Sequence, residues 1–336
     1  MRIGLVGFFG WGNFGDELFF NIWREALSQH EIMRMNDLIE KPYFTKSAVS
    51  KASSVDAILI GGGDLIRIES ISPLYWNGAW TAKPIVVSGI GVAEESNFTR
   101  PDVIPRLQKF FSSTNVLSLS ARDERSTEWI TEKLNPKVPV RTVPDLVFAD
   151  YVALKGRTQS FNAVPRIGFV LNKSQITESD LRLWDRLVDA HANGKIHATL
   201  MVLATGEQRE RELDNLRRNG LREYAEVFRD TTQMLDRLSE LDLVISAKFH
   251  ALVVAAKFGI PYISLRDTSK SIALTRYSPS TVIPMEIMDV IDPVFNGIGL
   301  AKVASSFTKE HIRDLANAEI SHVSGIINAV EQLIIS

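Results

Sequence analysis

Cysteine is absent from the 336 residues, which excludes a disulfide framework, a thiolate zinc site and a thiol nucleophile, and fits a reducing compartment. An excess of one charge is missing too. With 38 Lys and Arg against 40 Asp and Glu, the net charge is -2, so no basic footprint for nucleic acid is visible and a charged ligand has to be met locally. No apolar run reaches the roughly 18 residues of a membrane span. The opening stretch from Met1 to Gly7 lacks the layout of a signal peptide, and a cytoplasmic protein with at most peripheral membrane association is expected. P-loop, GxSxG and HExxH patterns are lacking as well. The six histidines show no metal-ligand spacing, so no metal and no cofactor are expected.

What is present is enough apolar residue, 45%, for two domains each to bury a core. Short apolar runs ending on turn residues alternate with amphipathic stretches, which argues for mostly parallel sheets with helices on both faces. Strands are expected at 3–6, 57–60, 85–88, 116–120 and 140–143, with helices at about 16–28 and 124–134. The polar stretch from Lys155 to Pro165 reads as a linker. Beyond it a second series begins, with strands at 167–171, 198–203, 243–246 and 262–265 and helices at 178–192, 206–219, 232–238 and 250–258. The expectation is therefore an α/β chain of two Rossmann-like domains facing across a cleft in a GT-B-like arrangement. Residues 1–158 form the first, residues 165–305 the second, and 309–336 pack as one or two helices with Leu315, Ile326, Val330 and Leu333 on the apolar side.

Four motifs stand at strand ends, where such sheets present ligand contacts. Gly10, Gly12 and Gly15 match GxGxxG, and Asp37 lies near where a dinucleotide fold keeps its ribose-binding acid. Asp16 and Glu17, however, put two carboxylates in the first helical turn, where a pyrophosphate would be repelled. They suit a neutral, hydroxyl-rich ligand such as a sugar, or else they only cap the helix. Gly61, Gly62 and Gly63 before Asp64 allow a ligand close to the backbone, or form a plain turn. Arg122 offers a guanidinium to a carboxylate or phosphate, unless a local acid pairs with it. In the stretch from Ser246 to Pro261, a strand, a short turn and an Ala/Val-rich helix stopped by Gly259 set Lys248 and His250 at a helix N-terminus, which favours an anion. His250 can exchange a proton there, and Lys270 can add a second cation or remain a solvated loop residue.

In order along the chain, the residues from Gly10 to Glu17, the Gly61 run, Arg122 and Asp123 with Ser126, the stretch Asp145-Leu146-Val147-Phe148, and the run from Ser246 to Pro261 followed by Lys270 resemble the polysaccharide pyruvyl transferase family. That resemblance implies a GT-B-like fold and transfer of the enolpyruvyl group of phosphoenolpyruvate to a sugar of an exopolysaccharide or cell-wall glycan precursor. The product is a pyruvate ketal and the leaving group is phosphate. It implies that Arg122, Lys248, Phe249, His250 and Lys270 hold the donor, with His250, Asp16 and Glu17 as catalytic groups. Gly12, Asn13, Asp16, Glu17, Gly62, Gly63 and Asp64 then serve a lipid-linked or nucleotide-linked saccharide acceptor on the first domain. The family usually shows Arg, an apolar residue and His where this chain has Lys248, Phe249 and His250; lysine keeps the charge and loses the fork. Other readings are a GT-B nucleotide-sugar glycosyltransferase, an NAD-dependent dehydrogenase using Asp37, and a silent sugar-binding protein.

Overall fold

A computed structural model describes residues 1–93, 100–152, 164–171, 176–266, 268–277 and 306–335. Most of the expected linker, and the stretch 278–305 at the end of the expected second domain, lie outside the described residues. The chain divides into two compact units. One comprises Met1–Gly10, Gly15–Tyr151 and Arg313–Ser336, the other Trp11–Phe14 and Val152–Ile312.

In the first unit the elements run β1 (Arg2–Val6), α1 (Phe14–Ala26), β2 (Glu31–Arg34), α2 (Ala48–Ser53), β3 (Ala57–Gly61), β4 (Ile66–Arg67), β5 (Ile85–Ile90), β6 (Val92–Ala93), α3 (Val103–Phe111), β7 (Val116–Ala121), α4 (Glu124–Leu134) and β8 (Val140–Thr142). Six strands form a sheet in the order β2-β1-β3-β5-β7-β8, and every neighbouring pair is parallel. The sequences AILIG and IVVSGI are buried along their whole length, as central strands covered on both faces must be. Successive strands move outward from β1 on one side and from β3 on the other, so the order reverses between β1 and β3. Ligands bind beyond the carboxyl ends at such a point.

The second unit runs β9 (Arg166–Val170), α5 (Glu178–Ala192), β10 (His197–Val202), α6 (Gly206–Arg218), β11 (Ala225–Val227), α7 (Thr231–Ser239), β12 (Leu243–Ser246), α8 (Phe249–Phe258), β13 (Tyr262–Ser264) and α9 (Ser269–Tyr277). Its five strands lie in the order β11-β10-β9-β12-β13, again all parallel, with the reversal between β9 and β12. One face of the sheet packs Ile167, Phe169, Leu200, Val202, Leu243 and Ile245 against Leu183, Trp184, Leu187, Leu213 and Leu216 of α5 and α6. Six consecutive residues of α8, Ala251–Ala256, are buried, which is why its sequence carries no polar face. The helix stops at Gly259, whose φ of 71° is left-handed, as expected for a glycine just past a helix end.

The chain ends in one helix, α10 (Ser306–Ile335), where one or two were expected. From Arg313 it is counted with the first unit. Its buried stripe is Ile312, Ala316, Ile320, Val323, Ile327 and Val330, whereas Leu315 and Leu333 are exposed. Of the expected apolar positions Val330 lies in this stripe, which runs through Ala316 where Leu315 was expected.

Candidate functional site

Each unit gathers polar side chains at the carboxyl ends of its strands. In the first, Asp64 follows the glycine turn after β3 and Arg122 follows β7. Arg122 is 6% exposed; its Nη2 donates to the Asp64 carboxylate, and Asp123 Oδ2 stands 3.7 Å from its Nε. Burial alone would lower the guanidinium's proton affinity, but the charges of Asp64, Asp145, Asp123 and Asp16 outweigh it and hold the group above its ordinary range. Four carboxylates thus act on one guanidinium. Arg122, expected to anchor an anionic donor, already meets carboxylates supplied by the fold. Gly91 explains part of the packing, since a Cβ there would press on both Asp64 and Arg122.

Asp16 and Glu17 separate in role. Asp16 is buried at the first turn of α1 and faces Gly63, where a Cβ would sit 3.0 Å from its Oδ1 and φ is 79°. Glu17 turns back to accept the Gly10 amide at 2.7 Å, so this carboxylate fastens the glycine loop. Tyr75 lies close enough to Asp16 that the acid's charge, after burial, pushes the phenol above its ordinary range. A lone tyrosine in an irregular stretch carries no sequence signal for that neighbourhood.

Gly12 and Asn13, expected among the acceptor residues of the first domain, are counted with the second unit. Thr205 donates its amide to Gly12 O at 2.8 Å, Asn13 bridges to Ala204, and a Cβ on Gly12 would overlap the Thr205 carbonyl. Asp37 lies beyond the end of β2. It is paired with Lys51 and accepts the Thr45 amide and hydroxyl at 3.0 and 2.9 Å. Its carboxylate is thereby engaged in shaping a loop, where the dinucleotide reading would have it meet a ribose.

In the second unit, Ser246 of β12 and Ser264 of β13 are register partners. Each hydroxyl donates to the carbonyl two residues on, at 3.0 Å to Lys248 and 2.6 Å to Arg266. Each turn then delivers a cation to a buried acid. Arg266 meets Asp180 through two hydrogen bonds of 2.9 and 2.5 Å, and Lys248 Nζ meets both Glu212 oxygens at 2.6 Å. Lys248 also donates to Leu203 O at 3.0 Å. The ammonium expected to face the donor is therefore paired with a carboxylate of the fold.

Lys248 is nonetheless the N-cap of α8, and its side chain makes no capping bond. Phe249 and His250 form the first turn with ring centroids 5.4 Å apart. Lys270, the second residue of α9, carries its Nζ 5.7 Å from the Phe249 ring centroid, so helix amides, an imidazole and an ammonium come together at the carboxyl ends of β12 and β13. This is the part of the expected donor set that the structure brings together. Glu212, Asp180 and Arg266 were missed because their partners lie 36 and 86 residues away in sequence.

Among the described residues, no group of three His, Asp or Glu is arranged to hold a metal ion, and no helix is long and apolar enough to cross a membrane.

Comparison with known proteins places the chain. The family model for polysaccharide pyruvyl transferase matches residues 13–269, about three quarters of its length, and the chain belongs to that family. No curated protein matches it by sequence. Solved structures similar in fold include an S. aureus MnaA–UDP structure, with TM-score 0.59, 12% identity and coverage of 100% of this chain and 98% of that one. The UDP-GlcNAc 2-epimerase of Methanocaldococcus jannaschii with UDP-GlcNAc and UDP gives 0.59, 10%, 98% and 100%. A variant of the wall teichoic acid polymerase TagF gives 0.58, 9%, 100% and 90%. The fold is thus α/β of the GT-B-like class, built from two Rossmann-like units.

Proposed function

We propose that this polysaccharide pyruvyl transferase moves the enolpyruvyl group of phosphoenolpyruvate onto two hydroxyls of one sugar in an exopolysaccharide or cell-wall glycan precursor, forming a pyruvate ketal and releasing phosphate. The observation that carries the reading is the start of α8, where Phe249 and His250 form the first turn, Lys270 stands beside the Phe249 ring, and the cap side chain is held by Glu212. Helix amides and the macrodipole favour a phosphate, and Lys270 supplies a full charge for the second anionic group of the donor.

The chemistry needs a proton on the donor's methylene carbon, after which its neighbouring carbon becomes oxocarbenium-like. A sugar hydroxyl adds to that carbon, phosphate leaves, and a second hydroxyl of the same sugar closes the ketal. Of the two hydroxyl protons lost, one replaces the proton given to carbon and the other leaves on phosphate. His250 is the acid on the donor side, and Asp16 is the base that takes a hydroxyl proton on the acceptor side. The negative surroundings of Asp16, Asp64 and Asp145 favour a hydroxyl-rich, uncharged sugar face over a phosphate.

The acceptor is a lipid-linked or nucleotide-linked saccharide met in the cytoplasm. Binding of UDP or UDP-GlcNAc by fold relatives supports including a nucleotide-linked form among those tried. The test is thermal unfolding with each ligand, because a ligand that binds only the folded chain raises the melting temperature by mass action. Phosphoenolpyruvate is expected to raise it more than pyruvate does. A shift from UDP-GlcNAc alone, with none from phosphoenolpyruvate, would instead support a nucleotide-sugar glycosyltransferase.

A further inference from the structure

Glu212 is a buried acid on α6, 5% exposed. Besides both bonds from Lys248, it accepts Gln208 Nε2 at 2.9 Å, and Gln208 is itself 3% exposed. The same helix holds the glycine loop, since the Gln208 amide donates to Trp11 O at 3.2 Å and the Thr205 amide to Gly12 O at 2.8 Å. One rigid element thus fixes that loop and the lysine that begins α8.

We infer that Glu212 is a positioning residue that sets the charge of the donor site: it holds the Lys248 ammonium as a neutral pair, so that the donor's anionic groups are met by the α8 amides, His250 and Lys270 and not by Lys248. This rests on the reading that the start of α8 takes the donor. A direct lysine anchor would bind phosphoenolpyruvate and product phosphate alike, and uniform tightening of that kind slows product release without helping the transition state. Pairing Lys248 with Glu212 keeps the lysine's packing and its bond to Leu203 while withholding its charge.

The inference makes opposite predictions for the two halves of the pair. Glu212→Gln keeps the shape and one acceptor but releases a positive charge near the anion site, so phosphoenolpyruvate and inorganic phosphate are expected to bind about three- to tenfold more tightly, with steeper salt dependence and a lower kcat. Lys248→Met leaves the Glu212 charge beside the site and weakens both ligands. The Glu212→Gln/Lys248→Met double variant removes both charges and returns their affinity close to that of the native chain.

Isothermal titration of the full chain and these three variants with phosphoenolpyruvate and with phosphate makes the test, alongside melting temperatures. A purely structural role for Glu212 predicts weaker binding in step with lost stability, and that result, or unchanged affinity in Glu212→Gln, overturns the inference. Should Glu212→Gln fail to fold, the double variant still decides, because affinity no better than that of Lys248→Met overturns it. Failure of the native chain to bind phosphoenolpyruvate at all would overturn the donor reading itself, and the inference with it.

Discussion

Arg122 donates to Asp64 across the ends of β7 and β3, and the charges of Asp145, Asp123 and Asp16 act on it as well. Removing the guanidinium takes from Asp64 the cation it accepts from. Arg122→Ala is expected to cost about 3–5 kcal/mol of stability, the usual result of breaking a buried pair from one side, with little change in phosphoenolpyruvate affinity. Urea unfolding and calorimetry check both halves. Lost donor affinity at unchanged stability would return Arg122 to the donor site.

The two acids that open α1 should behave differently. Asp16→Asn is expected to lower kcat by about 10²–10⁴-fold, the range for general acid-base catalysis, with donor affinity retained. Glu17→Gln keeps an oxygen for the Gly10 amide and should stay within a few-fold of the native rate. Steady-state kinetics on the two variants compare the roles, and equal losses in both would contradict the assignment.

His250 is tested by saturation. His250→Gln is expected to reduce turnover by about 10²–10⁴-fold even at saturating phosphoenolpyruvate. If turnover recovers at high donor concentration, the imidazole is an anchor for phosphate and supplies no proton.

The far end of the chain matters for the first unit. Glu319 of α10 is fully buried and accepts the hydroxyls of Ser88 and Ser120 at 2.6 Å each and the Arg141 guanidinium at 2.5 Å. Two of those partners lie on β5 and β7, the strands that lead to Gly91 and Arg122. Glu319→Ala should therefore destabilise by about 3–5 kcal/mol, measured by urea unfolding, and shift the amide resonances around Gly91 and Arg122. A variant as stable as the native chain would show that packing alone holds α10.

Acid should remove one surface contribution in a defined window. Hydrogen bonds from Arg100 hold the Asp102 carboxyl at about 2, below its ordinary 3.8, so the stabilisation is present above the unfolded value and is lost as pH falls through the folded one. Asp102→Asn should flatten stability against pH between about 4 and 2. An NMR titration of Asp102 giving an ordinary carboxylate value would refute it.

Much of this fold was legible because parallel strands buried on both faces read as continuous apolar runs, as in AILIG and LVIS. The helix from Phe249 to its Gly259 stop was equally plain, since its signals are local. What sequence could not supply was the pairing of charges. Lys248 looked like a cation awaiting an anion, a local acid was only one of two readings for Arg122, and the topology reveals Glu212 and Asp64 as their partners. Short elements such as β4, β6 and β11 escaped for a related reason: two or three residues hold no period. In the candidate site, the cluster of Phe249, His250 and Lys270 was the portion that strand ends and helix starts could foretell.

The central claim is that phosphoenolpyruvate is the donor. Its most direct test is phosphate release from phosphoenolpyruvate by the purified chain across a panel of lipid-linked and nucleotide-linked saccharides, with mass spectrometry of the acceptor. The account predicts one phosphate released per acceptor modified, together with a mass gain equal to a pyruvate ketal. Turnover of a UDP-sugar by the same chain, with no phosphate released from phosphoenolpyruvate by any acceptor, would contradict it.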